Sequence, residues 1–151
     1  MAPTTENLQS ILNKIYAWEG KAVQSIDRTK FETFLQSVLN GDQEVKASIA
    51  FGATLGKGGN GIVAYLLTEA RLIRIRIDDK GDFDSADIYI TKIVGVNRQL
   101  SSSQSNEEND AKVKVVTDKG FFGLEYVSSD TEIENFFSQV EAIVRKRESA
   151  A

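Results

Sequence analysis

Residues 131–147 read TEIENFFSQVEAIVRKR, and the spacing of their apolar side chains decides what the rest of the chain must build. Ile133, Phe136, Phe137, Val140, Ile143 and Val144 recur at steps of three and four, which is one stripe of an α-helix. Ser129 stands three residues before Glu132, the pattern of a capping box. Arg145, Lys146 and Arg147 fall in the last turn, where positive charge suits the helix dipole. Two adjacent phenylalanines on one stripe need a broad apolar surface opposite them. The segments upstream alternate with strand period, so the expected surface is a sheet.

Working back from that helix, residues 112–117 and 121–126 flank Asp118-Lys119-Gly120 and read as a hairpin with the glycine in a left-handed conformation. Residues 100–110, LSSSQSNEEND, hold almost nothing that can be buried. They are expected to form a mobile loop that a protease cuts first. Residues 87–99 read as two strands, or as one bent by a bulge at Gly95. Residues 78–85, DDKGDFDS, read as an acidic turn. Residues 72–77 alternate Ile73, Ile75 and Ile77 with Arg74 and Arg76. Residues 62–68, IVAYLLT, read as a strand buried on both faces or covered at one end. Residues 54–61 form a glycine-rich loop, and residues 44–51 alternate again as a half-buried strand.

Two helices come first. A helix over residues 5–18, capped by Thr4 or Thr5, carries Leu8, Ile11, Leu12 and Ile15 on one stripe. A second, capped by Asp27, carries Phe31, Phe34, Leu35, Val38 and Leu39, and Asn40-Gly41 closes it. The expected fold class is α+β: a bent antiparallel sheet or barrel of about seven strands, capped by a C-terminal helix and preceded by two helices. Residues 1–41 are expected as a helical extension and residues 42–148 as one compact domain. Leu8, Ile11, Leu12 and Ile15 must be buried somewhere, on their own domain or on another molecule. With Gly20 in the link behind them, they are the expected partner-binding residues. A chain lacking residues 1–20 is then expected to stay folded.

Bulk composition excludes several chemistries. The chain has 151 residues, enough for one domain, with 41% hydrophobic and 26% charged residues. It contains no His and no Cys, so Ser-His-Asp triads, Cys-His pairs, HExxH zinc sites and disulfides cannot form within it. The formal net charge of -4 argues against a nucleic-acid partner. No apolar run approaches the roughly 18 residues of a membrane span. The N-terminus, MAPTTENLQ, lacks the features of a signal peptide, so a cytoplasmic location is expected.

The pair of strands in IVAYLLTEARLIRIRI at residues 62–77, the passage ITKIVGV at residues 90–96, and the strand, glycine turn, strand and helix of residues 112–147 together resemble bacterial pleckstrin-homology-like domains. The resemblance covers roughly residues 44–147, and the two leading helices lie outside it. It implies a scaffold that hosts lipid binding, peptide binding or assembly. In such folds the terminal helix and its neighbouring strand, here within residues 93–99, form a groove that accepts a peptide. Inositol-phosphate binders of this kind use the first hairpin loop and the strands after it, which here offer Lys57, Arg74 and Arg76. Arg74 and Arg76 share a strand face, so both guanidiniums could reach one anion. The nearby Asp78, Asp79, Asp82 and Asp84 supply the competing reading, simple ion pairs.

Residues 56–61, GKGGNG, fit GxGxxG, and Ile62-Val63 extend them toward the kinase form. A strand follows where a dinucleotide site needs a helix, and Lys57 is followed by Gly58 where a phosphate loop needs Ser or Thr. Nucleotide binding is thus a remote alternative. The aspartates of residues 78–84 do not follow the calcium-loop spacing, and no metal or cofactor is expected. Phe121, Phe122, Phe136 and Phe137 are expected in the core. The function expected is a non-enzymatic binding or assembly module that engages a protein partner or self-associates, with anionic-lipid binding through Lys57, Arg74 and Arg76 as the alternative.

Overall fold

The computed structural model describes the backbone of residues 7–40, 44–55, 59–100, 110–128 and 131–150, and within these the side chains other than those of 54–55, 98–100, 110–113, 123–128 and 147–150. Lys57, most of the 100–110 loop and the Ser129 cap lie outside the described residues. The architecture is α+β, with antiparallel strands in one sheet of four and one of three, and with a C-terminal helix. Among the described residues the strands do not close into a barrel. The chain divides into two compact units, Met1–Asp87 and Ile88–Ala151. The leading helices share a core with the first strands.

In the first unit, α1 spans Leu8–Tyr16 and α2 spans Arg28–Val38. Asn7 caps α1 by accepting the Ser10 N–H at 2.8 Å, a turn later than the threonines suggested. Asp27 caps α2 through the Lys30 N–H at 3.2 Å, as its sequence position implies. Strands β1 (Val45–Leu55), β2 (Gly59–Thr68), β3 (Arg71–Asp78) and β4 (Phe83–Tyr89) follow in spatial order β1-β2-β3-β4. Ala50↔Ala64 and Ala64↔Ile75 pair in register, so Ile62, Ala64, Leu66, Ile73, Ile75 and Ile77 share one face. Ile11, Leu12, Ile15, Phe31 and Leu35 close over that face, each 2% exposed or less. Burial at roughly 1.5–3 kcal/mol per large side chain makes both helices part of this core. The opposite face carries Ile49, Phe51, Val63 and Tyr65, also buried, so β2 is buried on both sides as its unbroken apolar run implies.

The link from α1 to α2 is ordered. Gly20 adopts φ +85 and donates its N–H to Val23 O at 2.6 Å, while Val23 and Ile26 are buried. The Trp18 ring packs against Gly52, and its Nε1–H donates to Ala50 O at 3.2 Å. Lys14 adds bonds to Ser48 O at 3.0 Å and Ser48 Oγ at 3.2 Å. These contacts fix α1 to β1.

The second unit takes the last two residues of β4, then a single 3₁₀ turn, Ile90–Lys92, followed by β5 (Ile93–Leu100), β6 (Asp110–Thr117), β7 (Gly120–Ser128) and α3 (Thr131–Ala150). The sheet order is β5-β6-β7. Its ladder slips between Ile93 and Gly95, the bulge foreseen at Gly95. Thr117 pairs with Gly120, so only Asp118 and Lys119 form the turn, and Gly120 opens β7 at φ +140. Ile93 and Val115 face inward and are buried. Of the helix stripe read from the sequence, Ile133, Phe136, Phe137, Val140 and Val144 are each 6% exposed or less, Ile143 is half-buried, and α3 packs on β5.

Candidate docking surface

Arg74 and Arg76 lie on β3, opposite Tyr65 and Val63 of β2, and therefore on one face. Arg76 already has a carboxylate. It reaches Asp84 through Nε at 3.4 Å and Nη2 at 3.3 Å. A surface hollow of about 250 Å³ beside it is lined by Arg76, Asp78, Asp82, Phe83 and Asp84. One guanidinium among three carboxylates repels an anion more than it attracts one. Asp78 is further committed to its turn, accepting the N–H groups of Lys80 at 2.9 Å and Asp82 at 3.0 Å. Arg71, the third arginine of the strand, is tied to Asp87 at 2.8 Å and to Val38 O at 2.7 Å. Of the expected basic triad, Arg74 and Arg76 share a face of β3, and Lys57 lies outside the described residues.

The glycine-rich loop is shorter than its sequence suggests. Gly59, Asn60 and Gly61 pair with Leu55, Thr54 and Ala53, so their backbone belongs to the β1–β2 ladder. The α1 stripe takes the first of its two possible burial sites. Ile11, Leu12 and Ile15 sit in the chain's own core, and Leu8 packs partly buried against it. Ile11, Leu12 and Ile15 are 0–2% exposed and so are covered by their own chain, and Leu8 alone of the stripe keeps some accessible surface.

An accessible apolar surface exists elsewhere, on the second unit. Among the described residues the exposed large hydrophobic side chains are Tyr89, Val94 and Phe121, at 61%, 49% and 57%. Two of these are neighbours. Gly95 pairs with Val116, and Val116 pairs with Phe121. Val94 is the extra residue of the bulge immediately before Gly95. Inward-facing Ile93 and Val115 fix the other parity, so Val94, Val116 and Phe121 line the outer face in one row. Two strand spacings make that row about 10 Å long. Lys114 shares the face two residues from Val116, and its Nζ lies 5.1 Å from the Phe121 ring centre. Lys92 and the Asp118-Lys119 turn, all exposed, bracket the other end, because Ile93, Thr117 and Gly120 pair across the strands there.

Phe121 was expected in the core and lies on the surface instead. The sequence held the signal: adjacent residues of a strand face opposite ways, so Phe121 and Phe122 cannot both point inward. Phe122 is half-buried and pairs with buried Val115. Phe121 is left outside.

Among the described residues no helix is long and apolar enough to cross a membrane, and no cluster of three or more His, Cys, Asp or Glu is placed to hold a metal. No protein-family model and no curated protein matches the chain. Among solved structures it is similar to the hSac2 domain from human phosphoinositide phosphatase Sac2. That likeness has 8% sequence identity and a TM-score of 0.44, and it covers 82% of this chain and 81% of that one. At this score the likeness carries no argument about fold or function.

Proposed function

We propose that this chain is a non-enzymatic protein-binding module on a pleckstrin-homology-like scaffold, with the outer face of the β5–β7 sheet as its contact surface. The observation that carries the proposal is the row Val94, Val116 and Phe121 on an accessible sheet face. Scattered exposed hydrophobics are ordinary, but a contiguous apolar row with a large aromatic marks an interaction site. Sheets of four and three antiparallel strands in chain order, followed by a terminal helix packed on β5, support the scaffold reading. A chain without His or Cys supports the non-enzymatic reading. The anionic-lipid alternative through Lys57, Arg74 and Arg76 has the carboxylates around Arg76 against it.

Affinity capture from cells of the source organism, with the full chain and its Phe121→Ser variant as paired baits, tests the reading. Exposed surface substitutions usually change stability by no more than about 0.5 kcal/mol, so the variant should melt like the parent. At least one protein should be retained by the parent and lost by the variant. Identical retained sets on two equally folded baits would remove this face from the function.

A further inference from the structure

Resting on the docking reading above, we infer that the partner presents an acidic, amphipathic protein segment to the outer face of the β5–β7 sheet. The apolar row is bracketed by charge of mainly one sign. Lys114 lies over Phe121 on one side. Lys92 and Lys119 stand at the other, with Asp118 the one nearby carboxylate among the described residues. This positive rim belongs to a chain whose formal net charge is -4, so it is a local feature and not a reflection of bulk composition. Complementary charge around an apolar centre steers encounter and fixes register. A segment that seats apolar side chains on Val94, Val116 and Phe121 and holds carboxylates within reach of Lys92, Lys114 and Lys119 matches both features.

Two other occupants fit less well. In a two-fold contact with a second copy, the same patch faces itself and its lysines oppose lysines. A bilayer would have to be entered by the hairpin tip. That tip is Asp118-Lys119 followed by Gly120, with no apolar side chain, while Phe121 lies on the flat of the sheet.

The test uses fluorescence anisotropy of the full chain with two synthetic helical peptides. Both carry the same Leu and Phe stripe, and the polar face is Glu in one and Lys in the other. Vesicles of phosphatidylcholine and phosphatidylserine form a third arm. The acidic peptide should bind at least tenfold more tightly than the basic one. Phe121→Ser should weaken it at least tenfold, and Lys114→Glu with Lys119→Glu should reverse the preference, circular dichroism confirming that each variant is folded. Equal binding of both peptides, lost from Phe121→Ser, would overturn the acidic partner and leave the docking face standing. Peptide binding indifferent to Phe121→Ser would overturn both. Vesicle binding lost from Phe121→Ser, without peptide binding, would replace the acidic segment with a membrane. No binding in any arm would overturn the inference.

Discussion

Glu19 holds the link between α1 and α2 at two points. Its Oε2 accepts the Ile26 N–H at 2.7 Å, and its Oε1 accepts from Arg28 Nη2 at 2.7 Å. The Arg28 bond, then the backbone bond, hold the Glu19 carboxyl below its usual range. Arg28 also lies 4.2 Å over the Tyr16 ring. Burial, with the bond donated to Glu32 at 3.1 Å, pushes the Tyr16 hydroxyl up to about 12. A carboxyl depressed in the folded state contributes stability above its ordinary value of about 4.5 and loses it as pH falls through the lower folded value. Glu19→Gln should therefore lower stability at pH 7 by on the order of 1 kcal/mol. The deficit should shrink in thermal melts as pH falls below about 4. A gap that stays constant with pH would show that the carboxylate charge is not what holds the link. Gly52 offers a second residue-scale test. A Cβ there would meet the Trp18 ring at 3.0 and 3.1 Å, with Ala22 Cβ behind at 3.5 Å. Gly52→Val should displace the single tryptophan, shift its emission to longer wavelength and cost about 1–3 kcal/mol. Unchanged emission would contradict the Trp18 packing. Neither contact was legible in the sequence: the Glu19 bonds depend on how the α1–α2 link folds back on itself, and the Trp18–Gly52 contact on where that link meets β1.

At the scale of elements, periodicity was informative wherever one face alone is buried. The α3 stripe, the α2 cap, the alternation of β3 and the Gly95 bulge are all in the residues. Phe137→Asp puts a charge at a position 1% exposed and should cost at least about 4 kcal/mol, enough to abolish cooperative melting of the second unit. Unchanged melting would show that this stripe is not the buried one. The sequence misled at β4. Its aspartates read as a turn, yet Phe83 begins a strand whose ring packs on Phe31 at 5.3 Å and Phe34 at 4.7 Å. As an edge strand, β4 leaves all its side chains but Phe83 and Ile88 exposed, so it shows little apolar pattern. The α1 stripe shows the opposite limit. Amphipathicity says that a face is buried and not by what. Because Ile11, Leu12 and Ile15 cover β2 and β3, removing residues 1–20 should now leave an aggregating or non-cooperative chain, the reverse of the outcome expected from sequence. A truncated chain with a sharp melt would return α1 to the role of a detachable arm.

For the molecule as a whole, the sequence pointed to a ligand surface on the arginines of β3, and the structure puts carboxylates there. The outer-face row of exposed Val94 and Phe121 with half-buried Val116 between them needed the bulge, the register and the opposed parities of Phe121 and Phe122 before it could be seen. Those quantities fix which side of the sheet each residue takes. The most direct measurement is photocrosslinking in the source cells, with p-benzoylphenylalanine at position 121 in the full chain and at exposed Thr33 of α2 as the control. The docking account expects a discrete protein adduct from position 121 that is absent from position 33. Adducts shared by both positions, or none from position 121, would contradict it.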